Sequence, residues 1–67
     1  MDMESYTQFE IARIESYLES IKRSVNINTS LNEQEKSEII RLTTRLYEAE
    51  IEYLIEEPAA YHALYHT

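Results

Sequence analysis

The apolar residues of the chain recur at intervals of three and four, the period of a helix with one buried face. In the first half, one seam of such residues comprises Ile11, Ile14, Leu18, Ile21 and Val25. The segment 26–30, Asn-Ile-Asn-Thr-Ser, interrupts this pattern, because its polar side chains compete for backbone hydrogen bonds. The pattern therefore predicts an all-α fold in which a loop joins two helices.

The second half carries two apolar stripes side by side on one predicted helix. The first stripe has 3-4-3-4 spacing and consists of Ile39, Leu42, Leu46, Ala49 and Tyr53. The second stripe consists of Ile40, Tyr47, Ile51 and Leu54. One neighbouring helix covers one stripe, so we expect the first to face the first helix. Leu46→Ala should then lower the free energy of unfolding by about 2–5 kcal/mol, as truncation of a leucine in a closed core layer does.

The second stripe is left for another surface. We expect it to be the dimer interface, through which two hairpins form a four-helix bundle with coiled-coil packing. The alternative is that it meets only the C-terminal tail, through Tyr61, Leu64 and Tyr65.

Capping patterns give the expected start of the first helix. Thr7-Gln8-Phe9-Glu10 reads as a capping box, and Ser5 with Gln8 is a second candidate. The first helix is therefore expected over about 7–25.

The second helix has two candidate caps as well, Ser30 with Glu33 or Asn32 with Glu35. We favour Asn32, which predicts a helix over about 33–57 that Pro58 ends. Residues 59–66 form either a short helix opened by that proline or a frayed tail.

The loop of about six residues makes the two helices antiparallel neighbours, so residues 1–67 form a single helical-hairpin domain. At 67 residues without cysteine, the chain has neither a disulfide nor a thiolate metal site to stabilise a small core. Oligomerisation is the remaining common route, and we expect a homodimer. No apolar run reaches the roughly 20 residues that span a bilayer, so we expect a cytoplasmic protein without membrane contact.

Acidic residues outnumber basic ones by 13 to 6, which gives a formal net charge of −7. The few cations are dispersed among carboxylates, so the charge repels nucleic acid. We therefore expect no direct nucleic-acid binding.

Glutamates are concentrated on the second half of the second helix. Glu48, Glu52 and Glu56 form an i, i+4 row of like charges, with Glu50 and Glu57 nearby, and no lysine or arginine follows. This is either a solvated face that keeps the protein soluble or an acidic surface for a basic protein, including one that normally holds DNA. In the second case, Tyr53 and Leu54 give apolar anchorage beside the charges.

Catalytic and metal chemistry have little support. His62 and His66 stand four residues apart, a spacing that suits zinc, but no third ligand is evident. Two histidines in a last helical turn also suit the negative end of the helix dipole. With no cysteine nucleophile or glycine-rich phosphate loop, we expect neither an enzyme nor a cofactor.

Two stretches, Tyr6-Thr-Gln-Phe-Glu-Ile-Ala-Arg13 and Leu46-Tyr-Glu-Ala-Glu-Ile-Glu-Tyr-Leu54, together with the acidic helical character, resemble the small early proteins of lambdoid bacteriophages. Those proteins are encoded between the exonuclease and excisionase genes. The resemblance implies a non-enzymatic regulatory protein that acts in the host cytoplasm, on host proteins or on the choice between lysis and lysogeny.

The segment Leu54-Ile-Glu-Glu-Pro-Ala-Ala-Tyr-His-Ala-Leu64 is also similar to the end of small helical modulators of bacterial nucleoid proteins. The Asp-His-Arg-x-Ala-Glu-Leu stretch of that family is absent, and the nearest counterpart is Arg45-Leu-Tyr-Glu-Ala-Glu-Ile51. The alternative function is therefore a nucleoid-protein modulator, or a DNA mimic that inhibits a nucleic-acid-binding protein.

Overall fold

The computed structural model describes the backbone of residues 2–66 and the side chains of residues 2–65. Within this range the chain forms three helices and no strand: α1 (Met3–Asn26), α2 (Glu33–Glu56) and α3 (Pro58–His66). α1 and α2 pack along each other, and α3 packs against both. The molecule measures 43 × 18 × 16 Å. The prediction of an all-α helical hairpin is confirmed.

α1 begins four residues earlier than Thr7. Asp2 is its N-cap, and the Asp2 carboxylate accepts a hydrogen bond of 2.7 Å from the Ser5 amide. The Thr7 hydroxyl instead donates to the Met3 carbonyl within the first turn, at 2.7 Å. The predicted caps at Thr7 and Ser5 are therefore wrong, because aspartate is among the strongest N-cap residues and precedes both.

α2 begins where the favoured cap predicts. The Asn32 side chain accepts from the Glu35 amide at 2.8 Å, and the Glu35 carboxylate accepts from the Asn32 amide at 2.9 Å. This reciprocal pair is a complete capping box. Across the loop, the Lys36 ammonium donates to the Asn26 carbonyl at 2.9 Å, which joins the end of α1 to the start of α2.

The C-terminal segment is a helix rather than a frayed tail. Glu57 leaves helical geometry at φ −134° and ψ 63°, and Pro58 opens α3 at once. Proline suits this first position because it lacks the amide proton that would have no intrahelical partner there. A helix of nine residues is marginal alone, and α3 is stabilised by packing against α1 and α2.

The buried core lies between α1, the C-terminal half of α2 and α3. The predicted α1 seam is confirmed: Ile14 is buried, and Ile11 and Leu18 are half-buried. A cluster of four side chains forms the centre of the core, namely Tyr6, Ile14, Leu54 and Tyr61. Ile11, Tyr47 and Ile51 pack against this cluster.

The two α2 stripes are exchanged relative to the prediction. The first stripe is exposed, with Leu46 68 % accessible, so its assignment to the core is wrong. The stripe predicted to be the dimer interface faces the interior instead: Leu54 is inaccessible, and Ile40, Tyr47 and Ile51 are half-buried. This orientation places Leu54 in the core with α1 and α3, and it lets Glu50 reach Tyr61. Because the two stripes are similarly apolar, packing of α3 determines which of them faces the core.

Candidate protein-interaction surface

The acidic surface consists of four exposed carboxylates of α2 and its C-cap: Glu48, Glu52, Glu56 and Glu57. In the described part of the chain, the salt bridges join other pairs, Glu10–Arg13, Glu19–Lys22, Glu33–Lys36 and Glu38–Arg41. The last turn of α2 contains no basic residue. Glu56 and Glu57 lie at the negative end of the helix dipole, and Glu48, Glu52 and Glu56 repel one another along one row.

The remaining predicted site residues divide into accessible and inaccessible ones. Tyr53 is 42 % exposed and adjoins the acidic surface along α2. Glu50 is half-buried, and its carboxylate accepts a hydrogen bond from Tyr61. Leu54 is fully buried and has no surface left for a partner, so its assignment as an apolar anchor is wrong.

The exposed apolar face of α2, which we call the α2 stripe, consists of Ile39, Leu42, Leu46, Ala49 and Tyr53. Its C-terminal half lines a groove of about 480 Å³ between α2 and α3, to which α3 contributes Leu64 and Tyr65. Both α3 residues are exposed as well. Because monomeric proteins rarely leave a contiguous apolar surface uncovered, the stripe is a candidate interface.

On α1, a buried carboxylate pairs with a partly exposed guanidinium beside the core. Glu10 is 3 % exposed, and one of its oxygens accepts from the Arg13 guanidinium through Nε at 3.1 Å and Nη2 at 2.5 Å. The hydrogen bond to Glu10 raises the pKa of Arg13. The guanidinium also lies 5.6 Å from the centre of the Tyr17 ring. Sequence reasoning missed this pair by treating Glu10 as part of a capping box, although the i, i+3 spacing was visible.

α3 is held in place by aromatic side chains. Tyr61 is fully buried, and its hydroxyl donates to a Glu50 carboxylate oxygen at 2.9 Å. Its ring centre lies 6.2 Å from that of Tyr53 and 4.6 Å from that of Tyr65. The alternative in which the tail meets the second stripe is correct for Tyr61, which lies in the core cluster with Leu54, whereas Leu64 and Tyr65 are exposed.

The Tyr61–Glu50 hydrogen bond predicts a loss of stability at alkaline pH. Burial, and next the Glu50 carboxylate, raise the pKa of Tyr61 above its ordinary value of 10.0. The neutral phenol therefore stabilises the fold fully below pH 10.0, and this contribution is lost as pH rises above that value towards the folded pKa. Tyr61→Phe should cost about 1–2 kcal/mol at neutral pH and reduce the alkaline loss.

Urea unfolding of both proteins at neutral pH and above pH 10, followed by circular dichroism, measures this effect. Equal alkaline losses in wild type and Tyr61→Phe would contradict it.

His62 and His66 are the two histidines whose spacing suits zinc. The His62 ring packs edge-on against Tyr6, with 4.8 Å between ring centres. The His66 side chain lies outside the described residues. Among the side chains that are described, no three histidines, cysteines or carboxylates lie together as a metal site. Also within this range, no helix is long and apolar enough to cross a bilayer.

Comparison with known proteins gives no family assignment, since no family model, curated protein or solved structure matches the chain significantly.

Proposed function

We propose that this chain is a small, non-enzymatic interaction protein that binds a basic surface of another protein through the C-terminal half of α2. The observation that carries the proposal is the acidic surface: exposed carboxylates without a salt bridge in the described structure, beside the partly exposed Tyr53 ring. An aromatic group next to charges is a common composition for a specific interface. The role agrees with the resemblance to regulatory early proteins of lambdoid phages, which act on host proteins.

The chemistry of the surface defines the class of partner. Carboxylates that repel one another along a helix face are stabilised when lysine or arginine side chains approach them. The field of a chain with net charge −7 also accelerates encounter with a cationic groove and weakens as salt increases. The partner is therefore a protein with a groove rich in lysine and arginine.

Paired charge-removing variants test this proposal. Glu48→Gln/Glu56→Gln removes two charges from the acidic surface, and Glu4→Gln/Glu15→Gln removes two exposed charges from α1. Each protein is immobilised, and proteins retained from a bacterial lysate are identified by mass spectrometry. The partner should bind wild type and the α1 variant alike and bind the α2 variant about tenfold more weakly at low salt. Equal retention by both variants would show that the acidic surface only solubilises the chain.

The same experiment distinguishes this proposal from the alternative, in which the chain is a DNA mimic or a nucleoid-protein modulator. In that case the retained protein binds DNA, and added duplex DNA displaces it from the immobilised chain. The chain itself should show no shift of duplex DNA or RNA in a low-salt gel assay, because its few cations can release few counterions.

A further inference from the structure

We propose that the α2 stripe binds the α2 stripe of a second copy of this chain, with the two α2 helices antiparallel across a two-fold axis. This inference goes beyond the proposed function and does not depend on it. It also relocates the homodimer interface, because Leu54 and its neighbouring stripe are already used inside the protomer.

Exposure makes the stripe available. Leu42 and Leu46 are each more than half exposed, and Ile39 and Tyr53 are exposed as well. From Ile39 to Tyr53 the stripe extends along about 21 Å of α2, at about 1.5 Å per residue. A chain of 67 residues has a small core, and small helical proteins commonly gain further stability by self-association. An apolar face of this length is suited to that contact.

The spacing is that of a two-helix seam. Ile39, Leu42, Leu46, Ala49 and Tyr53 alternate intervals of three and four, as the a and d positions of a heptad do. A two-fold interface must be complementary to itself. With the axis passing near residues 47 and 48, Leu46 of each copy lies opposite Ala49 of the other, and Leu42 lies opposite Tyr53. Leu46 then meets a small side chain and Leu42 an aromatic ring, while Ile39 at the end of the seam lies opposite Glu56.

Charge selects this alignment. Arg45 and Glu52 each precede a stripe residue by one position, so they lie along the same edge of the seam. Neither forms a salt bridge within the described protomer. In the proposed alignment, Arg45 of one copy faces Glu52 of the other, and the two-fold axis makes this contact twice. A shift by one heptad instead places Arg45 opposite Arg45 and Glu52 opposite Glu38, which disfavours that alternative.

The proposed contact overlaps the surface used for the proposed function only in part. It covers Tyr53 and takes Glu52 and Glu56, whereas Glu48 lies outside the two edges of the seam and stays exposed. The two proposals can therefore be tested separately: Glu48→Gln alone changes partner capture without altering the seam, and Leu46→Glu alters self-association.

Sedimentation equilibrium of the full chain tests self-association. The wild type should sediment at twice the 8.0 kDa chain mass at micromolar concentration. Leu46→Glu should sediment as a monomer while it keeps its helical circular dichroism, since the Leu46 side chain is largely exposed in the protomer. Ile55→Glu is the matched control, because Ile55 is exposed on α2 outside the stripe, and it should remain dimeric.

Charge reversal tests the alignment. Arg45→Glu and Glu52→Arg should each raise the dimer dissociation constant about tenfold, because each places like charges opposite one another twice. The double variant Arg45→Glu/Glu52→Arg should restore it to within about threefold of wild type. A wild type that stays monomeric to millimolar concentration would assign the stripe to a different partner and overturn the proposal. So would a dimer that Leu46→Glu leaves intact, or a double variant that restores nothing.

Discussion

Leu54→Ala is expected to lower the free energy of unfolding by about 2–5 kcal/mol, which is a large part of the stability of a small domain. Leu54 has no exposed surface and lies in the cluster formed with Tyr6, Ile14 and Tyr61. Truncation removes apolar contacts with α1 and α3 together, and the surrounding aromatic rings can close the cavity only in part. Urea unfolding, followed by helical circular dichroism below the dimer dissociation constant, measures the loss.

Ile55→Ala is the matched control. Ile55 is the next residue on α2, has the same side-chain volume and is 57 % exposed. Its truncation should change stability by less than about 1 kcal/mol, and the higher helix propensity of alanine partly offsets the lost contacts. If Leu54→Ala and Ile55→Ala lose equal stability, the face of α2 that carries Leu54 does not point towards the core.

Arg13→Ala is expected to cost about 3 kcal/mol, because it leaves the Glu10 carboxylate buried without its cation. Glu10 is 3 % exposed, and both of its described hydrogen bonds come from Arg13. Thermal and urea unfolding measure the loss. Replacing both residues, as Glu10→Met/Arg13→Met, should recover most of it, since two apolar side chains of similar length need no pairing.

Arg41→Ala provides the control for this pair. Arg41 and Glu38 have the same i, i+3 spacing, but both side chains are more than half exposed. Water replaces the lost cation there, so the change should be within about 0.5 kcal/mol. A similar loss in both variants would mean that burial of Glu10 does not determine the stability of its pair.

The sequence determines the start of α2 and the face of α1 through local chemistry. Asn32 and Glu35 form a capping box with each other, so no distant residue is needed to place the helix start. The α1 seam was recognisable because that helix has one apolar stripe. The start of α1 was misplaced because Asp2, Ser5 and Thr7 are all plausible caps, and only the competition among them decides.

The orientation of α2 could not be derived in the same way. Its two stripes carry similar apolar side chains, so periodicity alone gives them equal weight. The choice depends on α3, where Tyr61 donates a hydrogen bond to Glu50 and packs with Leu54 in the core cluster. That interaction joins residues on different helices, and no local pattern announces it. The candidate surface was likewise only partly predictable. The spacing of the glutamates predicts their row, whereas the burial of Leu54 depends on contacts with α3, which the spacing does not reveal.

The short connection between α1 and α2 has a consequence for the speed of folding. Six residues separate the helices, and Lys36 contacts Asn26 across the gap, so the first tertiary contacts form between segments that are close in sequence. Closing such a loop takes well under a microsecond, and helical proteins rich in local contacts fold in microseconds to milliseconds. The apolar residues that form the core of the hairpin are therefore exposed only briefly during folding, which shortens the time in which unfolded chains can aggregate.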